Sequence, residues 1–147
     1  AIELSEHGMN DNEGGPFGAV IVKDGEIIAQ GNNEVTSKND PTMQAEIVAI
    51  RKACEKLEDF NLSGCELYTT CEPCPMCLGA VYWSRLDGVF YANTKEDAAK
   101  IGFDDEFIYK ELDLNKDKRK MPMEQLMHNE ALEVFQKWEK KEDKIRY

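Results

Sequence analysis

Histidine is nearly absent from this chain: His7 and His128 are the only two in 147 residues. Cations are also scarce, with 18 Lys and Arg against 29 Asp and Glu and a formal net charge of -11. A surface that acidic repels phosphate backbones and argues against nucleic acid as the main partner, although it leaves room for a local basic cleft. No apolar run approaches the roughly 20 residues that cross a bilayer, so no membrane partner is expected. No secretory signal, internal repeat or low-complexity tract is visible. The five cysteines are odd in number, and three fall in Cys71-Glu72-Pro73-Cys74-Pro75-Met76-Cys77. That makes a poor disulfide framework and a better metal or redox site, and the reducing cytoplasm is the expected location.

What is present reads as one domain over residues 1–147, with 41 % hydrophobic residues for its core. The chain opens inside what reads as a helix closed by Gly8, so residues are expected before Ala1. Phe17 to Lys23 is a β-branched apolar run, Asp24-Gly25 a hairpin signal, and Glu26 to Gly31 the return strand. Asn32 to Pro41 reads as polar loop. Met43 to Leu57 carries Ile47, Val48, Ile50, Ala53, Cys54 and Leu57 at helical spacing. Then follow a strand at Cys65 to Thr70, a helix at Pro75 to Ser84, a strand at Leu86 to Ala92 and a helix beginning at Thr94. Asn129 to Lys140 is amphipathic, with Leu132, Phe135 and Trp138 on one side. This order suggests a layered α/β domain with a mixed sheet between helices.

Two segments carry chemistry. One is Gln44-Ala45-Glu46 at a helix start; the other is Pro73-Cys74-Pro75-Met76-Cys77, also at a helix start. Cys-x-x-Cys there puts two sulfurs on one side of the first turn, where the helix dipole favours thiolate. Two thiolates can hold Zn2+, and a third ligand with one open position would make the site catalytic. Zinc deaminases carry His-x-Glu followed by Pro-Cys-x-x-Cys, the glutamate serving as general acid and base without binding the metal. Here the second half is intact and the first reads Gln-x-Glu. A structural zinc knuckle would need a second Cys or His pair, and a redox pair a thioredoxin-like strand order. A cluster ligand run would need a fourth cysteine at the required spacing. None of these appears.

The segments Gly14-Gly15-Pro16-Phe17-Gly18-Ala19, Asn39-Asp40-Pro41-Thr42, Cys71 to Cys77 and Gly102-Phe103-Asp104-Asp105 together resemble bacterial guanine deaminases of the cytidine/deoxycytidylate deaminase superfamily. The resemblance spans nearly the whole chain, to Tyr147. It is weaker to the tRNA adenosine deaminases, which share the Pro-Cys-x-x-Cys block. It implies a three-layer α/β fold with a mixed five-stranded sheet, and a homodimer whose C-terminal segment, about 129–147, swaps onto the other chain. It implies a small purine base as the substrate, with Asn33 hydrogen-bonding it and Phe17 and Trp83 lining the pocket. Asp105 would contact the base or move protons, and Tyr147 would close the partner's site. On pattern alone Phe17 and Trp83 also read as core aromatics, Asn33 as a loop residue, Asp105 as a solvated acid or cap and Tyr147 as a frayed terminus.

Gln44 stands where that family has histidine. A neutral amide oxygen is a weaker donor to zinc than imidazole. The site residues expected from the sequence are therefore Glu46 and Asp105 for catalysis, Phe17, Asn33, Trp83 and Tyr147 for the base, and Cys74, Cys77 and a weak Gln44 for zinc. The readings left open are guanine deamination, a tRNA adenosine deaminase-like activity, and a metal-poor, non-catalytic purine-binding homodimer.

Overall fold

In the computed structural model, residues 1–146 are described, and they divide into two compact units, 1–107 and the described residues from 108 onward. The first unit opens with α1 (Ile2–Asn10), then β1 (Gly18–Lys23) and β2 (Glu26–Asn32). These strands pair antiparallel around Asp24 and Gly25, both at positive φ (51° and 80°), as a two-residue hairpin of right-handed twist requires. A short α2 (Val35–Lys38) leads to α3 (Ala45–Leu57). Next come β3 (Cys65–Cys71), α4 (Pro75–Trp83), β4 (Gly88–Asn93) and α5 (Lys95–Lys100). The strand order is β2-β1-β3-β4, with β1 and β3 antiparallel and β3 and β4 parallel.

Two glycines show how the layers form. Residues directly opposite in an antiparallel pair share a face. Gly31 opposes Ala19, and a Cβ on Gly31 would lie 2.7 Å from the Ala45 carbonyl oxygen, so this face carries α3 at backbone contact. Gly18 points the other way, where a Cβ would meet the Ala1 carbonyl oxygen at 2.3 Å, so the opposite face carries α1. The core lies on the α3 side: Ala19, Ile21, Leu67 and Cys65 from the sheet meet Ala45, Ala49 and Ala53 from the helix. The small residues of α3 let it sit close, so its first turn is held firmly over the C-terminal end of β3.

Four strands are found among the described residues, against the five that the resemblance implied. After β4, Thr94 caps α5 with a full capping box, its hydroxyl accepting from the Asp97 amide while the Asp97 carboxylate accepts from the Thr94 amide. From there the sequence offers charged and helical stretches, without the alternating β-branched run that a fifth strand needs.

A helix α6 (Glu106–Asp113) crosses the boundary between the units. The second unit then holds a single 3-10 turn at Lys116–Lys118 and the amphipathic α7 (His128–Lys140). Arg119 ties its start together by donating to the carbonyls of Leu112 and Leu114. Among the described residues no helix is long and apolar enough to cross a membrane.

Candidate active site

Two helix N-termini meet at the site. Gln44 is the N-cap of α3 and Cys74 the N-cap of α4, with Pro75 pre-set for the first helical position. The Gln44 side chain makes no cap bond to its own helix. Its carboxamide is turned instead toward the cysteines: the Cys74 and Cys77 thiols each donate to Gln44 Oε1 at 3.1 Å. Cys77 Sγ also lies 3.4 Å from Glu46 Oε2. Two sulfurs and one amide oxygen thus converge.

The electrostatics separate the thiols. Cys74 is lowered to about 7, first by its hydrogen bond with Cys77 and then by the backbone amides of Cys77 and Met76. Cys77 is pushed up, by its bond with Cys74, by burial and by the nearby Glu46. Cys71 is turned away from the pair; its thiol donates to the Thr94 carbonyl at 3.6 Å, and burial raises it to about 11. His7 and His128 are both exposed, on α1 and at the start of α7.

Glu46 is 6 % exposed. Its Oε1 accepts from the Thr69 hydroxyl at 2.8 Å. Thr69 lies opposite Ala19 on the sheet face covered by α3, which brings its hydroxyl under the helix's first turn. A buried carboxylate needs such a partner, and the bond fixes one oxygen while the other stays beside Cys77.

A cavity of about 440 Å³ opens beside this group, within the range of small-molecule pockets and large enough for a purine. Phe17, Asn33, Gln44, Glu46, Cys74 and Asp105 all line it. Asn33 is 7 % exposed, and its Oδ1 accepts from the backbone amides of Gly15 (3.3 Å) and Val35 (3.2 Å). Two N–H donors on one oxygen fix the amide orientation and leave the side-chain NH2 to serve as donor. Phe17 meets Phe103 edge to face, with ring centroids 4.9 Å apart. Burial raises the Asp105 carboxyl above the ordinary range.

Trp83 is elsewhere: it ends α4 and is 67 % exposed, outside the lining of this cavity. Tyr147 lies outside the described residues. Thr69, Phe103, Gly15 and Glu72 were not singled out for the site from the sequence. Thr69 becomes visible only through the β1–β3 register. Phe103 stood inside a quoted motif, but nothing in the sequence brings it to Phe17. Glu72 anchors the start of α5 by accepting from the Lys95 amide.

The donor set can be tested against zinc. Among the described residues no three His, Cys, Asp or Glu side chains are grouped to hold a metal. The third donor would therefore be the Gln44 oxygen. A tetrahedral ion with sulfur at about 2.3 Å and oxygen at about 2.1 Å sets those atoms roughly 3.6 Å apart. The observed 3.1 Å is shorter than that separation but brings all three atoms to one point. The residues fit zinc in place and number, with one weak donor.

A family model described as the cytidine and deoxycytidylate deaminase zinc-binding region matches residues 1–93. The guanine deaminase of Bacillus subtilis (strain 168) is 55 % identical over 147 residues, covering all of this chain and 94 % of that protein. Its X-ray structure superposes with a TM-score of 0.97 over the same extent. A tRNA-specific adenosine deaminase of Aquifex aeolicus is 49 % identical over 77 residues, 52 % of this chain and 51 % of that one. A guanine deaminase structure from Nitrosomonas europaea matches with a TM-score of 0.68 and 37 % identity, over 71 % of this chain and 60 % of that one. With Glu46 beside paired thiols at the mouth of a purine-sized cavity, and a match of this extent, the chain belongs to the cytidine and deoxycytidylate deaminase family.

Proposed function

We propose that this protein hydrolyses guanine to xanthine and ammonia, using zinc held by Cys74, Cys77 and Gln44. The observation that carries the reading is the buried Glu46 carboxylate, tied to Thr69 on one oxygen and set beside Cys77 on the other. When bound, zinc supplies the Lewis acidity that makes water a nucleophile at neutral pH. Every other task falls to the chain. Glu46 Oε2 takes the proton that the attacking water loses and delivers it to a ring nitrogen; it then takes the proton of the new hydroxyl on carbon 2 and passes it to the amine, which leaves as ammonia as the carbonyl forms. Thr69 holds that carboxylate at the right place between the two transfers. Asn33 presents its NH2 to the acceptor edge of the base, and the Phe17 ring packs on its flat face. Asp105, its carboxyl raised above the usual carboxylate value by burial, contacts the base or hands protons to it. In a homodimer, Tyr147 of a second copy would close the site and exclude water.

The tRNA-directed reading has the weaker support. The Aquifex aeolicus enzyme shares about half of this chain, and a net charge of -11 disfavours a polyanion.

The test is ammonia release from guanine with zinc supplied. Wild type should release it, and Glu46→Gln should not, with an unchanged circular dichroism spectrum. Undiminished release by Glu46→Gln would overturn the assigned role. Inosine formation in an anticodon stem-loop would point to the tRNA reading. Guanine binding without turnover by zinc-loaded wild type would point to a non-catalytic binder.

A further inference from the structure

Gln44 does two things at once. Its Oε1 is the third donor atom beside the sulfurs, and it is also the hydrogen-bond acceptor for both thiols, each at 3.1 Å. An imidazole nitrogen has one lone pair and would accept one such bond; an amide oxygen has two and accepts both. Bound zinc would take two of its bonds from sulfur and one from a neutral, hard oxygen.

We infer that Gln44 makes zinc an exchangeable component of this site, so that occupancy follows the surrounding zinc concentration. The inference rests on the reading of Cys74 and Cys77 as zinc ligands. The Gln44 oxygen stands 3.1 Å from both sulfurs, where the third ligand belongs, and it is a poorer ligand than imidazole. Mutating residues that merely orient ligands costs roughly 10–100-fold in metal affinity. Exchanging a ligand itself places the expected difference from histidine at tenfold or more.

The experiment titrates zinc into the whole protein against a chromogenic chelator, for wild type, Gln44→His and Gln44→Ala, and records thermal unfolding with and without excess chelator. Gln44→His should bind zinc at least tenfold more tightly than wild type, and Gln44→Ala more weakly than wild type. Chelator should lower the melting temperature of zinc-loaded Gln44→His markedly, because a tightly bound ion stabilises only the folded state. Wild type should lose its zinc at far lower chelator concentration. Equal affinity for wild type and Gln44→His overturns the inference while leaving zinc binding by the cysteines intact. Equal affinity for wild type and Gln44→Ala removes the amide from the ligand set and overturns it too. A Gln44→His protein that takes up no zinc overturns the metal site itself.

Discussion

Asn33 owes its place to a neighbour without a side chain. A Cβ on Gly14 would stand 2.1 Å from Asn33 Oδ1 and 2.4 Å from the Asn33 backbone oxygen, closer than real atoms approach. Gly14→Ala must therefore displace Asn33 or the loop, breaking the bonds that orient its amide. Hydrogen bonds of this kind hold about 1–3 kcal/mol when a buried partner is stranded, which corresponds to roughly 5- to 150-fold. The expected outcome is a rise of that order in KM for guanine, measured by steady-state kinetics, with zinc content unchanged. An unchanged KM would show that Asn33 does not read the base. Glu46 and the cysteine pair were legible in the sequence because their chemistry is written in short spacings: two residues from Gln44 to Glu46, three from Cys74 to Cys77. Thr69 was not, because a hydroxyl in a strand acquires its task only when the register brings it under another element.

At the scale of elements, α5 depends on charge. Its capping carboxylate, Asp97, is held at about 2, below the ordinary 3.8, by its bond with Lys100 and by the Thr94 amide and hydroxyl. A group depressed in the folded state adds stability above its ordinary range and loses it as pH falls through the folded value. The α5 amides should therefore lose hydrogen-exchange protection between about pH 4 and 2, and Asp97→Asn should flatten that dependence. Equal acid sensitivity of α5 in both proteins would assign the effect to other carboxylates. The longer elements could be read from periodicity, and their observed ends fall close to the expected ones. Val35–Lys38 could not, since four residues carry no period and Asn32 to Pro41 is polar throughout. The fifth strand was inferred from resemblance alone, and the sequence after α5 holds no alternating apolar run to support it.

The whole molecule leaves apolar surface open in both units. In the first, Tyr82, Trp83, Phe90 and Tyr91 are exposed, and Tyr68 stacks on Phe90 with centroids 4.7 Å apart. In the second, α7 exposes Leu132, Phe135 and Trp138. Patches of large exposed apolar side chains mark places for partners. The expected outcome in sedimentation velocity is a dimer at micromolar concentration. Removing residues 144–147 should weaken guanine binding at least tenfold and move the melting temperature little, because a charged terminal stretch adds little to a core. A monomer, or undiminished base affinity after truncation, would exclude a site built from two chains.

The seat of α3 on β2 has a consequence for redesign. At Gly31 the strand and helix backbones touch, so every other side chain there would push Glu46 off its mark. At Gly79, inside α4, an added Cβ would meet nothing within 4 Å. Gly79 lies outside the cavity lining, so the room it offers does not reshape the reaction chamber. Laboratory evolution toward a differently shaped aminated ring must leave the seat of the glutamate-bearing helix alone, because changes beneath it are purged.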